Sequence, residues 1–254
     1  MAIVLVHGNP ETDAIWDDMR PHITAGEVIT LSPPGFGAPV PEGFDATSDA
    51  YLDWLCREVA AIPGPVDLVG HDWGGGHVAR LAMTRPDLIR SWVCDIGGCF
   101  DPEYVWHDMA QVWQTPTAGE QAVQQMAAAP MEARAEQFQS IGMSKSIARK
   151  VAEATNAEMG RCILSLYRSA AQPAMASWGK QWPAAAARAG LIIIPTEDHY
   201  TGGETLARRS AERAGAKVEV LEGLGHWWMC QDPERGAAVL NAFIDDLNEN
   251  HRST

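Results

Sequence analysis

The pentapeptide Gly70-His71-Asp72-Trp73-Gly74 places a carboxylate between two glycines, where an apolar run (66–70) gives way to a helical pattern (74–84). A sharp strand-to-helix turn forces its central residue into strained backbone geometry and needs flanking residues without bulk. Its apex side chain then stands above the strand ends, over the positive end of the following helix. An aspartate there is ionised at neutral pH and needs no base in order to attack. Such a carboxylate suits displacement at an sp³ carbon, leaving an ester on Asp72. A phosphate-binding glycine loop is the competing reading. Asp72 would repel a phosphate, and neither GxGxxG nor a GK[ST] ending is present.

An ester intermediate needs a base to activate water and an acid to orient that base, in the chain order nucleophile, acid, histidine. His226, in Leu224-Gly225-His226-Trp227-Trp228, lies between the last predicted strand and the final helix. His7, His71, His77, His107 and His199 read as core, loop or surface histidines. For the acid, Asp198 follows the strand at 191–195, with its neighbour Glu197 in reserve and Asp95, after the preceding strand, as a rival. The backbone N–H groups of Asn9 and Trp73 are placed to stabilise the tetrahedral intermediate of ester hydrolysis. The Asn9 carboxamide and the Trp73 indole add two neutral donors, which suit a departing halide. No metal or organic cofactor is implied.

These residues need a frame that brings strand ends together. The strands expected are 2–7, 27–31, 66–70, 90–95, 191–195 and 217–221, separated by helical patterns at 48–60, 74–84, 204–214 and 233–247. Alternation of this kind specifies an α/β fold with a doubly wound, mostly parallel sheet. The first strand starts at residue 2, so the sheet is expected to be shortened, lacking early N-terminal strands. Between 96 and 190 the strand signal disappears, and helical patterns at 118–128, 131–139 and 144–169 take over. The spacing predicts a core of residues 1–98 and 188–254 and an inserted helical cap of residues 99–187.

Composition narrows the partners. With 33 acidic and 19 basic residues the net charge is −14, which repels nucleic acid and anionic membranes and favours a small neutral organic substrate, with water as the second reactant. Five cysteines without a CxxC pair argue against a disulfide framework or a zinc site and fit a cytoplasmic setting. The short apolar N-terminus matches neither a membrane span nor a signal peptide. Ten tryptophans, several between 92 and 182, suggest a pocket with aromatic walls.

His7-Gly8-Asn9-Pro10, Pro34-Gly35-Phe36-Gly37, the Gly70–Gly75 elbow and Gly225–Trp228 together resemble the haloalkane dehalogenase and epoxide hydrolase branch of the α/β-hydrolases, over roughly 1–98 and 188–250. The resemblance implies an Asp nucleophile, and on the dehalogenase side it assigns halide binding to Asn9 and Trp73. Some members of the fold draw the triad acid from the position of Asp95. Epoxide hydrolases open the ring with two cap tyrosines. Leu166-Tyr167-Arg168 resembles the setting of the second, making Tyr167 a possible cap acid, while Met109 stands at the place of the first, with Tyr104 and His107 nearby. The favoured expectation is dehalogenase-like cleavage of a carbon–halogen bond. An epoxide hydrolase is the alternative, and a non-catalytic receptor on a hydrolase scaffold is a third possibility from a different class.

Overall fold

A strand covered on both faces must be apolar at consecutive positions, and Ala-Ile-Val-Leu-Val at residues 2–6 is such a run, buried throughout. In the computed structural model, which describes residues 1–252, this run is β1 (Ala2–Val6). The other strands are β2 (Glu27–Leu31), β3 (Val66–Gly70), β4 (Ser91–Cys94), β5 (Ala189–Pro195) and β6 (Lys217–Leu221). They form one sheet in the order β2-β1-β3-β4-β5-β6 with every neighbouring pair parallel. The less buried strands, β2 and β6, are the two edges.

Alternation along β1 sorts its side chains to opposite faces. Ala2, Val4 and Val6 join one apolar cluster with α1 (Ser48–Ala61) and α2 (Trp73–Thr84). Ile3 and Leu5 join a second cluster. Between β4 and β5 the chain is helical: α3 (Asp108–Gln114), α4 (Ala118–Ala128), α5 (Met131–Ser140), α6 (Lys145–Ala154), α7 (Ala157–Ser169), α8 (Ala174–Trp178) and α9 (Trp182–Ala185). Next come α10 (Gly203–Ala214), α11 (Trp228–Gln231) and α12 (Pro233–Arg252), of which α12 covers the second cluster through Ala237, Leu240 and Ile244. No helix among the described residues is long and apolar enough to cross a membrane.

The single helix expected over 144–169 is instead two, α6 and α7, broken at Thr155 and Asn156. Thr155 leaves helical geometry, and the Asn156 side chain accepts the Met159 N–H at 2.9 Å, capping α7. The break follows from local chemistry: asparagine satisfies a free N–H at a helix start better than it serves a helix interior.

Strand order reverses at β1 and β3, since β1 leads outward to β2 on one side and β3 leads to β4 on the other. A crevice opens beyond the carboxyl ends of strands at such a point. Asn9 follows β1 and Asp72 follows β3, so both stand at that crevice.

Candidate active site

Asp72 sits at φ 49° and ψ −128°, outside helical and extended geometry, between the last residue of β3 and the first of α2. Two close approaches make this turn possible. A Cβ on Gly74 would fall 2.2 Å from the Val6 carbonyl oxygen, and one on Gly8 would fall 2.2 Å from Asp72 Oδ1. Gly74→Ala therefore forces backbone apart and is expected to cost about 1–3 kcal/mol or more in chemical denaturation, the range for overpacking. Gly26→Ala, whose Cβ would meet ordinary contacts at 3.5 Å, should stay within about 0.5 kcal/mol. Equal stability of the two variants would contradict this account of the turn.

Around the Asp72 carboxylate the backbone N–H of Asn9 donates to Oδ1 at 2.9 Å, and His226 Nε2 lies 3.6 Å from Oδ2. His226 Nδ1 donates to Asp198 Oδ2 at 2.8 Å, while the other Asp198 oxygen accepts the Tyr200 N–H at 2.8 Å. Three residues from separate loops are thus aligned as Asp72, His226 and Asp198. Burial works against a charged His226. The Asp198 carboxylate, its hydrogen bond and the charge of Asp72 outweigh burial and lift the imidazole to about 10. Burial likewise disfavours ionised Asp198, but the His226 charge and hydrogen bond hold it below the usual carboxylate range.

The two competing acids stand elsewhere. Glu197 is exposed on the turn. Asp95 is buried, but Oδ2 lies 2.6 Å from His71 Nδ1 and accepts the Trp228 indole N–H at 2.8 Å, and Oδ1 accepts the Asp72 N–H at 3.0 Å. Its acceptor capacity goes to anchoring the elbow, and the acid facing His226 is Asp198.

A cavity of about 460 Å³ opens in front of Asp72, lined among others by Asn9, His107, Trp113, Tyr167 and His226. Both polar atoms of the Asn9 carboxamide are buried there without a partner. Trp73 does not line this cavity. It meets Asp72, Trp106 and Tyr167 around a separate void of about 10 Å³. Its ring is stacked on Trp106 and edge-on to Tyr167 at 5.4 Å, with its indole a hydrogen-bond partner of the Tyr167 hydroxyl. Burial, then the Asp72 charge, pushes the Tyr167 phenol well above its ordinary value, so it stays protonated. Tyr104 is engaged differently: its hydroxyl donates to the Tyr200 carbonyl at 2.7 Å. Met109 lies at the cavity wall and is half exposed.

Sequence reasoning undervalued three residues. His107 lines the cavity. Its Nδ1 accepts the Ala110 N–H at 3.3 Å as the cap of α3, which leaves Nε2 as the protonated nitrogen, and burial keeps the ring neutral by lowering its pKa. His71 lies against His226 with ring centroids 4.6 Å apart and planes tilted by 52°. Glu11 is fully buried beneath both, and burial raises its carboxyl. The helix-cap position of His107 was readable in the sequence. For Glu11 the only local clue was a charge close to an apolar strand.

Residues 3–239 match the model of the alpha/beta hydrolase family. Over 112 residues, 42% of each chain, the protein is 31% identical to pimeloyl-[acyl-carrier protein] methyl ester esterase of Aeromonas salmonicida. Over 90 residues, 35% of this chain and 34% of the relative, it is 30% identical to (E)-2-((N-methylformamido)methylene)succinate hydrolase of Acinetobacter baylyi. The matches thus span less than half the length of these curated relatives. A loop variant of a haloalkane dehalogenase from Bradyrhizobium elkanii has a similar fold, with a TM-score of 0.76 and 19% identity over 98% of this chain and 91% of that one. With the parallel sheet, the elbow and the family match in agreement, the chain belongs to the alpha/beta hydrolase family.

Proposed function

We propose that the protein is a hydrolase that forms an alkyl ester on Asp72 by displacing halide from a small neutral organic substrate, in the manner of a haloalkane dehalogenase. The observation that carries this reading is the Asp72 carboxylate itself: Oδ1 is held by the Asn9 N–H while Oδ2 stands free of protein donors, 3.6 Å from His226. Oδ2 attacks the carbon in line with the departing halide. Water activated by His226, oriented by Asp198, then adds to the ester carbonyl, whose oxygen stays against the Asn9 N–H. The partnerless Asn9 carboxamide supports the choice of halide, because a buried N–H without an acceptor gains most from an anion arriving beside it. The Trp73 indole is engaged with Tyr167 beside a void of about 10 Å³, so it becomes the second donor only when that contact opens toward the cavity. The helices between β4 and β5 serve as a cap whose aromatic face closes the site.

One arrangement favours a second reading. Tyr167 and His107 both line the cavity, Tyr167 with a phenolic proton to give and neutral His107 with an N–H that can donate a hydrogen bond, and an epoxide oxygen leaves as an alkoxide that needs such donors. Bromoalkanes and styrene oxide-type substrates, with halide and diol measured separately, decide between them. A dehalogenase loses on the order of 10²–10³ in rate with Asn9→Ala or Trp73→Phe and little with Tyr167→Phe. Diol formation without halide release, crippled by Tyr167→Phe, would replace the halide reading with the epoxide one.

A further inference from the structure

Glu11 follows the Asn9-Pro10 pair on the loop after β1, and its side chain has no exposure to solvent. A buried carboxylate is costly unless its oxygens are matched by donors or positive charge. At Glu11 the partners come from three loops. The Gly8 N–H donates to Oε1 at 2.7 Å, the Trp227 indole N–H donates to Oε2 at 2.6 Å, and His71 Nε2 lies 3.6 Å from Oε1. Each partner is the immediate chain neighbour of a residue at the reacting centre: Gly8 of Asn9, His71 of Asp72 and Trp227 of His226.

We infer that Glu11 is a positioning residue, the common anchor that holds Asn9, Asp72 and His226 in register through their chain neighbours. The inference rests on Asp72 and His226 being the reacting pair, but it is independent of the leaving group. The three loops leave from β1, β3 and β6, and backbone pairing fixes only where each begins. A single carboxylate, hydrogen-bonded to two of them and at ion-pair distance from the third, converts separate loop positions into one. The His71 ring completes the arrangement, since its other nitrogen is held by Asp95 at 2.6 Å and its face lies against His226. The charged and titratable groups facing this cluster include Asp72, Asp95 and Asp198, the two imidazoles, His7 against His71 and His107 against His226, with Tyr167 and Cys230 further off.

Glu11→Gln tests the anchor at nearly constant volume. The amide keeps one oxygen for the Gly8 N–H but presents a donor to the Trp227 indole and removes the negative charge beside His71. The expected result is a fall in kcat of about 10- to 100-fold, the scale of a displacement near 1 Å at a reacting centre. KM should hold within roughly twofold, because the cavity wall is untouched. Proton NMR of the imidazole N–H signals, followed against pH without substrate, should show His71 and His226 losing their protons at lower pH than in the unmodified protein. A mere structural role would lower thermal stability and leave kcat unchanged, which would overturn the inference. If Glu11→Gln does not fold, Trp227→Phe keeps an aromatic ring, though a smaller one at the cavity wall, and removes one tether. It should lower kcat in the same direction, and full activity in that variant would also overturn the inference. The titration needs no substrate, so it reports on Glu11 even where Asp72→Ala retains activity and the reacting pair has been misassigned.

Discussion

Asp72→Ala is expected to reduce turnover by roughly 10⁶-fold, the scale on which removing the nucleophile of a catalytic triad acts. The fold should survive. Asp72 contributes no apolar packing, and the hydrogen bond it loses is the one from the Asn9 N–H, which faces the cavity. Its strained φ of 49° is set by the glycines around it and remains in the variant, so the melting temperature should change by no more than about 2–4 °C, corresponding to about 1 kcal/mol in a chain of this size. Loss of the Asp72 charge also has a signature apart from turnover: the His226 imidazole should titrate below its present value of about 10, since Asp72 is one of the charges that raise it. A folded Asp72→Ala protein with unimpaired activity would remove the covalent mechanism altogether.

His226→Phe should separate the two half-reactions. The ring volume is retained among its aromatic neighbours His71, Tyr200 and Trp227, with centroids 4.6, 5.0 and 4.7 Å away. Asp72 attacks without a base, so leaving group should appear to about one equivalent per site and then stop. Intact-mass measurement should find the substrate-derived group on Asp72. An inert, unmodified but folded variant would argue against an alkyl ester. On the proposed mechanism, the electrostatics would let His226 act as base only after Asp72 is esterified. At rest His226 is protonated and paired with the Asp72 anion at 3.6 Å. Esterification cancels that anion, which weakens the hold on the proton and frees Nε2 to take one from water. The ester-hydrolysis step should therefore be lost as pH falls and persist as pH rises.

The strands and the meeting of Asp72 with His226 were legible because each depends on a local pattern: a short apolar run, a glycine-flanked turn, a histidine between a strand end and a helix. The choice between Asp198 and Asp95 was not, since both follow strands. It is decided by Trp228 and His71, which reach Asp95 only once the sheet is assembled. The same limit hid Glu11, whose partners lie 3, 60 and 216 positions away in the chain. Trp73 shows the opposite failure. Its position beside the nucleophile was plain, but its indole direction is set by Tyr167 and Trp106, which come from the helical segment. The break between α6 and α7 was readable from Thr155-Asn156, had capping been weighed above periodicity.

The two ends of that helical segment meet. After β4 the chain passes Phe100, runs through α3 to α8, and comes back to Gly179 so closely that a Cβ there would fall 2.1 Å from the Phe100 carbonyl oxygen. Trp182, in the helix that follows, then stacks on Trp92 of the sheet with centroids 5.6 Å apart. Residues 101–178 are therefore an excursion whose ends meet at one neck, while α6 and α7 also reach the core through Lys150 to Asp17, Ser144 to Asp18 and Ser169 to the Ser48 N–H, and closing a loop costs little more as its length grows. Asp72, Asn9, Asp198 and His226 all lie outside it, whereas His107, Trp113 and Tyr167 lie within. Exchanging the excursion at the Phe100–Gly179 neck, with its core contacts kept, would replace the wall that His107, Trp113 and Tyr167 supply and leave Asp72, Asn9 and His226 in place, so on the proposed reading selectivity and chemistry can be inherited separately.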